Sequence, residues 1–476
     1  MKGPLTEALT QLQKKDTVSF HTPGHKNGRL YQRLQESYLP DSFPDWDTTE
    51  IPGTDSLHNP KGVIRDSQKT AADLFGADET FYLVNGSTCG IYSMIMAATK
   101  PGDELIVQRN SHQSVFHGCL LGGVTPRYLM PEVEAETGMI LGVNEDNVQE
   151  ALDQWPETKG VLLTTPNYYG ITSNIKAIAD ILHEKNKPLL VDEAHGSHFI
   201  LDHRLPTPAL KAGADLVVQS THKTLPALTQ ASMLHVQGSK VDREKLRWML
   251  RMHQSSSPSY LLMASLDATV ALLESHGASL MKELLEHIDD TKTALKEIPG
   301  IALGVEASAL SDFSFLADPT RLWINLHGTR LTGYEWNTIL AEKHRVMMEL
   351  ADPLGVLALA SIGNEKRDFD RLVDAIKSTM NAFGKTKFDR PVKHKKATVS
   401  YYDELPIQRM SLQESFQAEK EKVELENAVG RICGESLTPY PPGIPAVMPG
   451  EEITESLVKW LRGRQEFAQK QILVVK

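Results

Sequence analysis

Short apolar runs alternate with helical stretches over the middle of this chain, and no other feature narrows its fold as much. FYLV (81–84), ELIVQ (104–108), VLLTT (161–165), PLLVD (188–192) and DLVVQ (215–219) are continuous rather than alternating. Strands of that kind belong to a parallel sheet covered on both faces. Helical patterns fall between them at about 89–99, 112–122, 145–155 and 174–186, with Asn144 and Asn174 at N-cap positions. Strand–helix–strand repetition predicts an α/β fold with a mostly parallel sheet and helices on both sides. Ligands of such sheets bind at the carboxyl ends of the strands, so chemistry is to be sought there.

The rest of the chain divides around this region. Residues 1–69 read as an N-terminal arm, with an amphipathic helix at 5–15 and an irregular Pro-, Asp- and Gly-rich stretch to about 62. The large unit runs over 70–299 and ends in a long helical pattern at 258–297. Residues 300–384 read as a smaller α+β unit, with LWINL (322–326) as its clearest strand. A basic connector at 385–399 leads to a C-terminal domain at 400–476, which holds the Pro-rich TPYPPGIPAVMPGE (438–451). Two or three domains suit 476 residues. A net charge of −11 argues against nucleic acid or an anionic membrane as partner. Cys89, Cys119 and Cys433 have no paired spacing, so neither a disulfide framework nor a cysteine metal site is expected. The absence of a signal pattern and of a bilayer-length apolar run predicts a cytoplasmic protein.

Four strand ends carry candidate chemistry. Lys223, in STHK (220–223), follows DLVVQ and runs into LPALTQASM. A lysine there loses solvation, and its pKa falls toward the neutral amine that attacks an aldehyde. A solvated surface lysine is the plainer alternative. Asp192 ends PLLVD; it caps the next segment or faces a charge in the crevice. In a site for pyridoxal 5'-phosphate (PLP) such an acid keeps the pyridine nitrogen protonated. Ser87 and Thr88, in NGSTCG (85–90), lie at a strand-to-helix turn, which offers open N–H groups and hydroxyls to a phosphate or is ordinary turn chemistry. His112, in RNSHQS (109–114), is a structural histidine or a ring stacked on the pyridine. Together, in the order phosphate loop, ring, acid and lysine, they point to PLP.

With TTPNYYG (164–170), this order resembles the fold-type I PLP enzymes. HTPGHKNG (21–28) and PYPPGIP (439–445) followed by PGE are similar to end motifs of the ornithine/lysine/arginine decarboxylase family. The resemblance covers about residues 20 to 455. It implies PLP-dependent decarboxylation of a basic amino acid in polyamine-related metabolism. By the same resemblance Lys223 is the Schiff-base lysine, Asp192 the acid at the pyridine nitrogen and His112 the stacked ring. Ser87, Thr88, Ser220 and His222 lie on the phosphate side, and Ser256 is a phosphate contact donated by a neighbouring subunit. His195 stands where larger members carry tryptophan; it lies near the reacting carboxylate or walls the pocket. Lys223 or His222 returns a proton to the substrate. The chain resembles the shorter form without the wing that builds decamers, so a homodimer, or a tetramer, with shared sites is expected.

The substrate stays open among lysine, arginine and ornithine, with the first two favoured. Asp55 and Glu435 are candidate acids for its distal cation. Transamination and aldol cleavage are the alternative reactions of such a core.

Overall fold

The computed structural model describes residues 14, 17–26, 28–34, 46–134, 138–304, 310–311, 314–326, 329, 331–383, 407–439, 443–462, 467 and 471–476. The basic connector and almost all of the expected helix at 5–15 lie outside these.

The apolar runs build one seven-stranded sheet. Its strands are β1 (Glu79–Leu83), β2 (Glu104–Gln108), β3 (Thr125–Leu129), β4 (Val161–Thr164), β5 (Leu189–Asp192), β6 (Leu216–Gln219) and β7 (Ser232–Val236). They lie side by side as β1-β7-β6-β5-β4-β2-β3. Only β7 runs against the others. The five expected strands form with ends shifted by at most a few residues, whereas β3 and β7 were not anticipated. In β3, TPRYL carries Pro126 and Arg127, which a strand tolerates at the edge of a sheet.

The continuous runs are apolar because both faces are covered. Ile106, Leu163, Val191 and Val217 join the core on one face; Val107, Leu162, Leu190 and Val218 join that on the other. The covering helices include α1 (Val63–Phe75), α2 (Gly86–Ala98), α3 (Gln113–Gly122), α4 (Glu145–Gln154), α5 (Ile175–Glu184), α6 (Arg243–His253) and α7 (Tyr260–Lys296). Asn144 and Asn174 do cap α4 and α5, accepting from the N–H groups of Asn147 (2.8 Å) and Ala177 (3.3 Å). In α2 a Cβ on Gly90 would meet Leu83 Cδ1 at 2.7 Å, so the helix can lie this close to the sheet only with glycine there.

Beyond α7 the chain forms a four-stranded antiparallel sheet whose inner strands are β8 (Arg321–Asn325) and β9 (Gly355–Leu359). The following helix α8 (Lys366–Phe383) buries Phe369, Leu372 and Ile376 in the large core.

Part of the N-terminal arm is more regular than expected. Val18–Phe20 pairs in parallel with Val346–Met348. Arg29 grips Asp368 with two hydrogen bonds of 2.8 and 2.9 Å. Helix α1 begins at Val63, before the arm was expected to end.

The C-terminal residues pair β10 (Lys420–Glu424) with β11 (Gln471–Val475) and enclose a core of their own around Leu425, Cys433, Val447, Leu457 and Ile472. No described helix is long and apolar enough to cross a membrane.

Candidate active site

The carboxyl ends of β4, β5 and β6 and the turn after β2 converge on one cavity. Its walls include Ser87, Asn110, His112, Tyr168, Asp192, His195, Lys223 and, from the C-terminal segment, Ile444. The alternating architecture explains the convergence: parallel strands all deliver their following loops to the same side.

Lys223 lies in the short helix Thr221–Thr224, directly after β6. Burial lowers its pKa, and the Asp192 carboxylate partly offsets this. Its Nζ lies 3.1 Å from His195 Nε2. Asp192 ends β5, is only 3% exposed and accepts from the N–H of Ala194 at 3.1 Å. Burial raises its pKa, while the Lys223 charge and that N–H hold it down.

His112 precedes α3 and caps it, Nδ1 accepting from the N–H of Ser114 at 3.2 Å. Burial, with Lys223 nearby, pushes its pKa down to about 4, so the ring is neutral at ordinary pH. A neutral ring suits stacking on an electron-poor heteroaromatic. His195 is almost wholly buried, and burial and the Lys223 charge lower its pKa strongly. Its Nδ1 lies 2.8 Å from Arg321 Nη2, and its ring packs at 4.8 Å from that of Tyr168.

The start of α2 supplies an anion cradle. Asn85 provides no side-chain cap, and although the N–H of Gly86 donates to Gln230 O at 3.0 Å, those of Ser87 and Thr88 stay open to an anion. Beside them Ser220 Oγ donates to Ser87 Oγ at 2.8 Å. Thr88 lies in the same first turn. Thr221 Oγ1 and Asn110 Oδ1 are buried without a hydrogen-bond partner among the described residues. Open N–H groups, paired hydroxyls and spare polar atoms fit a phosphorylated heteroaromatic, with Asp192 and the Lys223 amine on the same cavity.

Other expected residues are placed elsewhere. His222 adjoins Lys223, but its Nδ1 donates to Ala231 O at 2.9 Å, and the ring is not among the cavity walls. Asp55 serves α1 instead: its carboxylate accepts from the N–H groups of Lys61 (3.0 Å), Gly62 (2.8 Å) and Ile64 (3.1 Å). What burial it has works against the charge, but these donors bring its pKa down to about 2. Glu435 accepts from the N–H of Leu473 at 2.7 Å, within the C-terminal unit. Ser256 is exposed, in the loop between α6 and α7.

Three contributions were not anticipated. Arg321, at the start of β8, reaches His195. Glu349 accepts from Tyr168 Oη at 2.7 Å and brings a carboxylate to the cavity's edge. The HTPGHK loop supports the lysine from behind: Gly24 N–H donates to His222 O at 2.9 Å, and a Cβ on Gly24 would meet Leu225 O at 2.6 Å. Lys26, wholly buried, donates to His21 O (2.7 Å) and Leu359 O (3.1 Å); burial lowers its pKa to about 7. The motif itself signalled the loop. Nothing in the residues around Arg321 or Glu349 marks them.

Comparison with known proteins agrees with this geometry. The family model "Orn/Lys/Arg decarboxylase, major domain" matches residues 3–368, and "Orn/Lys/Arg decarboxylase, C-terminal domain" matches 395–471. The arginine decarboxylase of Halalkalibacterium halodurans is 36% identical over 96% of this chain and 92% of its own. That of Bacillus subtilis is 35% identical over the same shares. The inducible lysine decarboxylase of Escherichia coli K12 is 25% identical over 95% of this chain and 75% of its own. Among solved structures, lysine decarboxylase A from Pseudomonas aeruginosa superposes with a TM-score of 0.77, at 23% identity, over 98% of this chain and 80% of that one.

Proposed function

The chain belongs to the Orn/Lys/Arg decarboxylase family and is a PLP-dependent decarboxylase of a basic amino acid, and from that premise we propose that the amino acid is arginine. Two arginine decarboxylases match at 35% and 36% identity over nearly the whole of both chains, whereas the Escherichia coli lysine enzyme matches at 25% and over less of its length.

The observation that carries the mechanism is the Lys223 amine, placed at the strand ends with its charge opposed by burial and 3.1 Å from His195. When bound, PLP supplies the electron sink for the bond between Cα and the carboxylate. Lys223 would hold it, the first turn of α2 with Ser87, Thr88 and Ser220 would receive its phosphate, and Asp192 would keep its ring nitrogen protonated. His112 would lie against its face. After carbon dioxide leaves, Lys223 would return a proton to Cα. His222 is the weaker candidate because its Nδ1 is committed to Ala231 O. Ile444 and Tyr168 narrow the cavity and keep water from the reacting carbon. Exposed Ser256 supports a homodimer in which that loop completes the neighbour's site.

The test is a product assay of the full chain with PLP and arginine, lysine or ornithine in turn. Agmatine from arginine, at the highest kcat/KM, is expected. Preferential cadaverine or putrescine formation would overturn the choice of arginine. No amine from any of the three would overturn the mechanism.

A further inference from the structure

A line of buried polar side chains runs from the small unit to the reactive lysine. His198 Nε2 lies 3.1 Å from Asp318 Oδ2, and Asp318 Oδ2 lies 3.7 Å from Arg321 Nε. Asp318 is itself fixed, because Oδ1 accepts from the N–H and hydroxyl of Thr320 at 2.9 and 2.8 Å. Arg321 Nη2 reaches His195 Nδ1 at 2.8 Å, and His195 Nε2 reaches Lys223 Nζ at 3.1 Å. The side chains of Arg321 and Asp318 are fully buried, so this geometry does not compete with water.

The chemistry of the donors leaves one arrangement. A guanidinium has only donors, so His195 Nδ1 must accept. A neutral imidazole accepting at Nδ1 carries its proton on Nε2 and presents that proton to Lys223. Lys223 can complete the bond only with a lone pair, that is, as the free amine. An ammonium at this place would set N–H against N–H.

We propose that Arg321 is a positioning residue for the reaction, fixing His195 as the Nε2–H tautomer so that the imidazole selects the neutral, nucleophilic form of Lys223. This rests on Lys223 being the working amine, as argued above. Other charged or titratable groups act on the pair too. Asp192 and Glu349 favour the ammonium, whereas the Arg321 charge opposes it. His112 and His222 face His195, and the Tyr168 ring packs on it. The Coulombic effect of Arg321 and its tautomeric effect therefore act in the same direction, and only a measurement of proton position separates them.

That measurement is two-bond ¹H–¹⁵N correlation on the full-length chain with labelled histidine, with and without PLP. The His195 signals are assigned by their loss in His195→Gln. The expected result is a proton on Nε2 and a bare Nδ1 at neutral pH. A proton on Nδ1, or on both nitrogens, overturns the proposal without any variant having to fold. In Arg321→Gln the tautomer should mix or reverse, because glutamine can also accept. In the PLP-free chain the pH midpoint for Lys223 labelling by a small aldehyde and a hydride donor should then rise by about one unit, tenfold in amine fraction. Arg321→Lys, which keeps a donor and the charge, should restore the tautomer and most of the shift. A merely structural Arg321 would leave the wild-type tautomer unspecified and the Arg321→Gln tautomer unchanged. Agmatine production together with a proton on Nδ1 would overturn this inference and leave the proposed function standing.

Discussion

The C-terminal segment reaches the active site through a buried ion pair, and breaking that pair should open the cavity before it unfolds the chain. Arg109 and Glu451 are fully buried and meet at 2.9 Å. Arg109 also donates to Pro445 O (2.9 Å) and Ala446 O (3.3 Å), and its guanidinium lies over the rings of Phe116 and Tyr128 at 5.5 and 5.3 Å. The two carbonyls belong to the residues that directly follow Ile444, which walls the cavity. Glu451→Gln keeps shape but strands the Arg109 charge in the interior. Removing one partner of such a pair costs about 3–5 kcal/mol. At about 1.4 kcal/mol per decade, that is two to four powers of ten in the opening equilibrium. Because the C-terminal unit has its own core, the cost should fall on docking. Arg109→Met should cost less, since Glu451, whose pKa burial already raises, can take up a proton and arginine cannot lose one. The double variant should recover part of the loss. The reporter is amide exchange at Gln113, whose N–H donates to Gly443 O across the contact. Decarboxylation kinetics follow the effect on the cavity. Equal losses for the two single variants, or unchanged exchange in Glu451→Gln, would refute the argument.

Lys223→Ala should lose both amine production and the visible absorbance of the bound cofactor; a variant that keeps both removes Lys223 from the mechanism. Asp55→Ala should weaken the start of α1 by about 1 kcal/mol, the usual cost of a lost cap, and leave KM for the amino acid nearly unchanged. A large rise in KM at unchanged stability would return Asp55 to the substrate site. The pH dependence follows from burial: His25, His112 and His222 are held to about 4, and His235 to about 3. Folded values below the unfolded 6.5 mean that the unfolded chain binds more protons between these limits. The histidines' contribution is thus full above pH 6.5 and is lost as pH falls toward 4, at about 1.4 kcal/mol per pH unit for each fully buried group. Urea midpoints should fall steadily from pH 6.5 downward; a flat profile between 6.5 and 5 would contradict the neutral, buried state of these rings.

How far the site can be read from the residues depends on how local its causes are. Asn144 and Asn174 cap their helices because a cap needs only the next three residues. The lysine, the acid and the phosphate turn follow strands, and continuous apolar runs announce strands, so Lys223, Asp192, Ser87 and His112 were placed together from spacing alone. Strand β3 was hidden because its proline and arginine are permitted only by its place at the sheet edge, and that place is a property of the whole sheet. Asp55 shows the opposite failure. An acid in a Gly- and Pro-rich segment reads equally as a ligand or a cap, and only the distances to three N–H groups separate the two. Arg321 and Glu349 belong to the least legible class. Each enters the site from a unit far away in the chain, and nothing in its neighbours records the contact. Yet the sequence does hold the reason they can act. Gly24 alone allows the N-terminal loop to press on the backbone beyond Lys223, where a Cβ would meet Leu225 O at 2.6 Å, and Ser361, which follows β9, donates to Gly24 O at 2.6 Å. The arm thus ties the reactive lysine to the small unit that carries Arg321. A motif that contributes no wall to the cavity therefore bridges the segment that carries the lysine and the unit that carries the arginine proposed to act on it through His195.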